Sequence, residues 1–125
     1  MKDSRKLLVF LSAYCAASLL HFAHNATFAD EYPNLPAALS PARIYGAWVG
    51  ITALGVAGYL TFRRGFQATG LAVIAVYAAL GFDGLLHYGL APVSAHTRMM
   101  NFTIWLEVAT AAALLAVLFW QWRRI

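Results

Sequence analysis

Apolar residues in this chain do not alternate with polar ones at a strand or surface-helix period. They run on in four long blocks, approximately residues 7–28, 41–62, 66–90 and 99–122, with short polar stretches between them. A helix needs about 20 residues to cross a hydrocarbon core, and a spanning segment must satisfy its own backbone hydrogen bonds. The pattern therefore predicts an all-α fold. It is a four-transmembrane-helix up-down bundle, a single integral membrane domain over residues 1–125 with N and C termini cytoplasmic.

The termini are assigned from charge. Lys2, Arg5 and Lys6 precede the first block, Arg63 and Arg64 fill the turn between the second and third, and Arg123 and Arg124 follow the fourth, so 7 of the 9 Lys and Arg residues gather on one side. The positive-inside rule makes that side cytoplasmic, in a bacterial inner membrane. Asp30, Glu31, Asp83 and Glu107, 4 of the 5 acids, then fall on or toward the outer side. Composition agrees, with 62% hydrophobic and 11% charged residues. The net charge of +4 sits in clusters at block ends, not along a face, so it marks topology and not nucleic-acid binding.

The basic start, apolar core and Thr27-Phe28-Ala29 also have the form of a secretory signal with a cleavage site. Removal would leave three spans, and a retained first span is the expectation. In the second block Pro41 stands where a first-turn proline is tolerated. Gly46 and Gly50 are spaced for a close helix contact, expected inside the bundle, with a seam between copies or in a larger membrane complex as the other use. The connection from Ala29 to Ser40, with Pro33 and Pro36, is expected to be non-helical and to lie across the bundle as a cap.

Candidate chemistry lies in the outer half, where all four histidines, His21, His24, His87 and His96, are placed by this topology. Counted from the outer ends, His21, Asp83 and Glu107 are seven or eight residues deep, about 10–12 Å, and His24 and His87 are one turn shallower. Within helices, His21 and His24 at i, i+3 and Asp83 and His87 at i, i+4 each share a face. An ionised carboxylate costs several kcal/mol in hydrocarbon, so Asp83 and Glu107 are expected to face the interior and find partners among the histidines. Arg43 and Arg98 are the outer cations.

Three functions follow. Imidazoles and carboxylates from three helices suit a transition metal such as copper, zinc, iron or manganese, with His21, His24, Asp83, His87, His96 and Glu107 as the candidate ligands. Such a centre could support oxidation or hydrolysis of a lipid-soluble substrate entering sideways. Asp83-x-x-x-His87 followed by His96 resembles the local ligand pattern of the intramembrane copper site in the particulate methane monooxygenase family. The resemblance covers the 14 residues from Asp83 to His96, not the rest of the chain, and it implies copper. Alternatively, His21 or His24 and His87 hold a b-type haem, with Gly81 and Gly84 making room for it. In the third function the polar groups form a structural network in a non-catalytic accessory or lipid-binding bundle, where a proton relay also belongs.

Other signals decide less. Asn25 and Asn101 head glycosylation triplets at the membrane edge and are read instead as partners that orient a histidine or carboxylate. Cys15 is a small core residue, and a single cysteine excludes a disulfide framework within the chain. The two lysines, Lys2 and Lys6, both precede the first span, which excludes a retinal Schiff base inside the membrane. Nothing in the chain forms a phosphate loop or nucleophile elbow.

Overall fold

A computed structural model describes residues 2–125, with side chains from Ser4 onward; the side chain of Lys2, one of the basic groups above, lies outside the described residues. The chain is 84% helical without strands among the described residues. Helices α1 (Lys2–Thr27), α2 (Pro41–Arg63), α3 (Gln67–Ala79), α4 (His87–Leu90) and α5 (Arg98–Trp122) carry most of it. Together they give four segments long and apolar enough to cross a membrane, the third being α3 continued through α4. Large apolar side chains such as Val9, Val56, Val76, Leu86 and Phe119 remain exposed on the outside, as befits a surface solvated by lipid.

Boundaries follow local chemistry. The Ser40 hydroxyl accepts from the Arg43 amide ahead of Pro41, and the Thr97 hydroxyl accepts from the Met100 amide to start α5. Gly65, at φ 96°, makes the turn from α2 to α3 in a region where a side chain would be strained.

Each of α1 and α3 packs against both α2 and α5. The core is Leu7, Leu11 and Tyr14 from α1, Leu71, Ile74 and Tyr77 from α3, and Ala111, Leu114 and Leu118 from α5. Aromatic packing with Tyr14 and Tyr77 centroids 4.7 Å apart joins the first two. Opposite the polar end, Lys6 lies 4.5 Å over the Trp120 ring and Arg124 3.7 Å from it, tying the start of α1 to the end of α5.

Two expectations need correction. Gly46 and Gly50 make no internal contact: a Cβ added at either meets nothing within 4 Å. The close approach is made instead by Gly55, against Tyr77, and Gly58, against Ile74, because these two lie on the face of α2 turned to α3. The third apolar block is also not one continuous α-helix. Leu80–Leu86 is a 3₁₀ segment between α3 and α4. Asp83 lies within that segment and His87 opens α4, so the regular i, i+4 geometry of an unbroken α-helix does not relate them. Gly81 sits in that segment with Tyr14 and Ala111 within 2.7 Å of where its Cβ would be. The narrowed coil and the missing side chain both let the segment press onto α1 and α5.

Candidate functional site: a buried histidine and carboxylate cluster

On α1 the residues Tyr14, Ser18 and His21 lie on the buried face, and on α5 so do Met100, Thr103, Ile104 and Glu107, spaced by three and four residues. This register brings His21 of α1 to Glu107 of α5. His21 Nε2 lies 3.7 Å from Glu107 Oε2, with the side chains only 3% and 1% exposed. Gly84 completes the contact, since a Cβ there would stand 3.4 Å from Glu107 Oε2 and 3.5 Å from His21 Nε2. Its absence leaves the two groups open to the 3₁₀ segment that carries Asp83.

Hydrogen bonding fixes which nitrogen faces the acid. His21 Nδ1 is 3.3 Å from Thr103 Oγ1, and that hydroxyl donates to the Met100 carbonyl at 3.0 Å. A hydroxyl has one proton; with it committed to the carbonyl, Thr103 accepts from Nδ1–H. In the neutral imidazole the lone pair is then on Nε2, pointing at a carboxylate. At 3.7 Å that contact is longer than a hydrogen bond. Both Glu107 oxygens and Asp83 Oδ1 are buried without a hydrogen-bond partner among the described residues.

The shallower layer is organised by the loop. Tyr32 is buried, its ring 4.9 Å from that of His87, and its hydroxyl is 2.8 Å from His24 Nδ1. Burial, the largest cause, pushes the Tyr32 phenol up to about 12. The cap is pinned by Asn34, at φ 57°, whose side-chain amide donates to the Leu90 carbonyl at 2.9 Å. Asn25 Nδ2 is 3.2 Å from His87 Nε2, while His87 Nδ1 is buried and unpartnered. His96 Nδ1 donates to the Pro92 carbonyl at 3.0 Å, which leaves the lone pair on its buried, unpartnered Nε2. Ring centroids of His87 stand 5.5 Å from His21 and 6.1 Å from His96.

His21, Asp83, His87 and Glu107 thus meet at one end of the bundle with His96 adjoining, while His24 is engaged by Tyr32. Among the described residues no three His, Cys, Asp or Glu side chains stand in a ready-made metal geometry. Gly81, expected to make room for a macrocycle, is filled against by Tyr14 and Ala111. Of the two asparagines expected to orient a histidine or carboxylate, Asn25 meets His87. Asn101 instead accepts from the Tyr88 hydroxyl at 2.7 Å and donates to the Val93 carbonyl, ordering the loop that holds His96. Thr103, Ser18 and Tyr32 were not singled out by sequence; for Thr103 the available signal was its i, i+4 relation to Glu107.

Beside the cluster a cavity of about 600 Å³ opens between α1, α2 and the third span. Its walls are mostly apolar, Asp83 and His87 reach it from one side, and Leu35, Pro36 and Leu39 of the cap lie over it.

No protein-family model matches the chain, and neither a curated protein nor a solved structure matches it.

Proposed function

We propose that this integral membrane protein binds a transition metal ion between His21 and Glu107, with Asp83 and His87 turning in as further ligands. The observation that carries the reading is the His21 to Glu107 contact. A lone-pair nitrogen held by Thr103 faces an unpartnered buried carboxylate at 3.7 Å, an arrangement that a cation between them would stabilise. What supports a metal is this donor inventory, two imidazoles and two carboxylates, and not a preformed shell. Borderline nitrogen with hard oxygen suits copper, zinc, iron or manganese. Thr103 supplies the anchored orientation typical of a ligating histidine.

In the topology proposed with it, the spans alternate in direction, both termini are cytoplasmic in a bacterial inner membrane, and the cluster lies in the outer leaflet. A metal with an open position would supply Lewis-acid or redox chemistry there. The chain's own residues would hold that ion away from water and present the neighbouring cavity to a lipid-soluble substrate.

A structural network is the second reading, favoured by the closed bonding of Tyr88, Asn101 and the His96 loop. In that case a proton, not a metal, joins His21 to Glu107. Elemental analysis of protein purified in detergent without a histidine tag separates the two. Near-stoichiometric metal that is lost in Glu107→Gln and in His87→Ala is expected. No metal in wild type, even after reconstitution with each of the four ions, overturns the metal reading. Reporter fusions at the C-terminus test the orientation, with activity expected only from a cytoplasmic reporter.

A further inference from the structure

The cavity beside the cluster has a polarity that runs along its length. Arg43 stands at the outer end of α2, where its Nη1 donates to the Ala38 carbonyl at 3.1 Å. Guanidinium has five N–H donors in a planar fork, so most of them remain to meet a ligand. From Arg43 the wall descends through Ile44 and Ala47 to Ile51, eight residues and about 12 Å at 1.5 Å per residue. Facing it are Phe22 and Leu86, and at depth His21, Asp83 and His87. Leu35, Pro36 and Leu39 close over the mouth. A positive charge outside, an apolar passage, and a buried carboxyl oxygen without a partner inside sort the ends of a ligand: an anionic group is drawn to Arg43 and repelled from Asp83.

We infer that this cavity binds a single-chain amphiphile with a terminal carboxylate, a long-chain fatty acid, whose carboxylate pairs with Arg43 and whose chain runs inward past His87 to the His21 and Glu107 pair. A volume of about 600 Å³ falls in the ordinary range for small-ligand sites. An uncharged chain of equal length fills the same apolar passage but forgoes the Arg43 fork, and a two-chain phospholipid has a second tail with no place in it. The inference deepens the metal reading by naming the molecule shown to the cluster, and rests on that reading only for any chemistry that follows binding.

The test is equilibrium binding of radiolabelled myristic acid and of radiolabelled myristyl alcohol to protein in nanodiscs of zwitterionic phosphatidylcholine. Saturable binding of the acid is expected, with the alcohol about tenfold weaker, the usual worth of a charge-assisted hydrogen bond. Arg43→Gln should reduce the acid to the level of the alcohol. Ala47→Trp, placed on the cavity wall at an exposed position, should abolish binding of both while the melting temperature is kept. Equal binding of acid and alcohol, or binding of the acid that survives Ala47→Trp, overturns the inference. Metal content measured on the same samples keeps the two proposals apart, since Arg43 and Ala47 are not among the proposed ligands. Metal present without acid binding overturns the fatty-acid site alone, and acid binding without metal supports it while removing the metal.

Discussion

His21 Nε2 on α1 and Glu107 Oε2 on α5 are 3.7 Å apart, both side chains almost fully buried. Neither makes a hydrogen bond to the other, and by geometry neither carboxylate oxygen is hydrogen-bonded among the described residues. The pair is held in this relation from behind by Thr103, which accepts from His21 and donates to the Met100 carbonyl.

Thr103→Val keeps the shape of a fully buried side chain and removes the hydroxyl that orients His21. Loss of such a supporting group costs roughly 10–100-fold in metal affinity. Titration of the metal-depleted protein with zinc or copper should show that weakening for Thr103→Val, with helical content by circular dichroism unchanged.

Gly81→Ala tests the packing that brings the 3₁₀ segment onto α1 and α5. The new methyl would meet the Tyr14 ring at 2.6 Å and Ala111 Cβ at 2.7 Å, both already buried. Overpacking of this kind costs about 1–3 kcal/mol. Chemical denaturation in detergent should place the Gly81→Ala midpoint below that of wild type, whereas Gly89→Ala, where nothing lies within 4 Å of the added Cβ, should change little.

Tyr32 gives a pH signature outside the spans. Its phenol is raised from the usual value near 10 to about 12, chiefly by burial. Below pH 10 both folded and unfolded forms are neutral. Between about 10 and 12 the unfolded phenol ionises first, so its contribution to stability falls as pH rises through that window. Stability measured across this range should decline less steeply in Tyr32→Phe, and the tyrosinate absorbance that develops near pH 12 in wild type should be reduced by one residue's share.

Asn34→Ala should loosen the cap. It removes the bond to the Leu90 carbonyl and places an alanine at φ 57°, a conformation costing roughly 1–2 kcal/mol in a residue without an Asn-type side chain. Faster proteolysis within residues 29–40 is expected relative to wild type, and Asn34→Gly, which relieves the backbone but still lacks the bond, should fall between them.

Much of this was legible along the chain. Four uninterrupted apolar blocks require helices, because lipid offers no hydrogen bonds to an open backbone, and in the connection expected to be non-helical only Ala29–Glu31 departs from that, as one 3₁₀ turn ahead of Pro33 and Pro36. The buried acid Glu107 and the histidines at matching depth also follow from sequence, since a charge that cannot face hydrocarbon must turn inward. Tertiary structure decided the rest. Whether a glycine on α2 meets a neighbour depends on the rotation of that helix, which brings Gly55 and Gly58 inward and leaves Gly46 and Gly50 outside. The 3₁₀ turn at Asp83 arises where Gly81 presses on Tyr14 and Ala111, a contact between three segments distant in sequence. Spacing could set five candidate ligands in two layers one turn apart, but only packing could give His24 to Tyr32, His96 to Pro92 and His21 to Glu107, because depth fixes one coordinate of a side chain and its neighbours fix the other two.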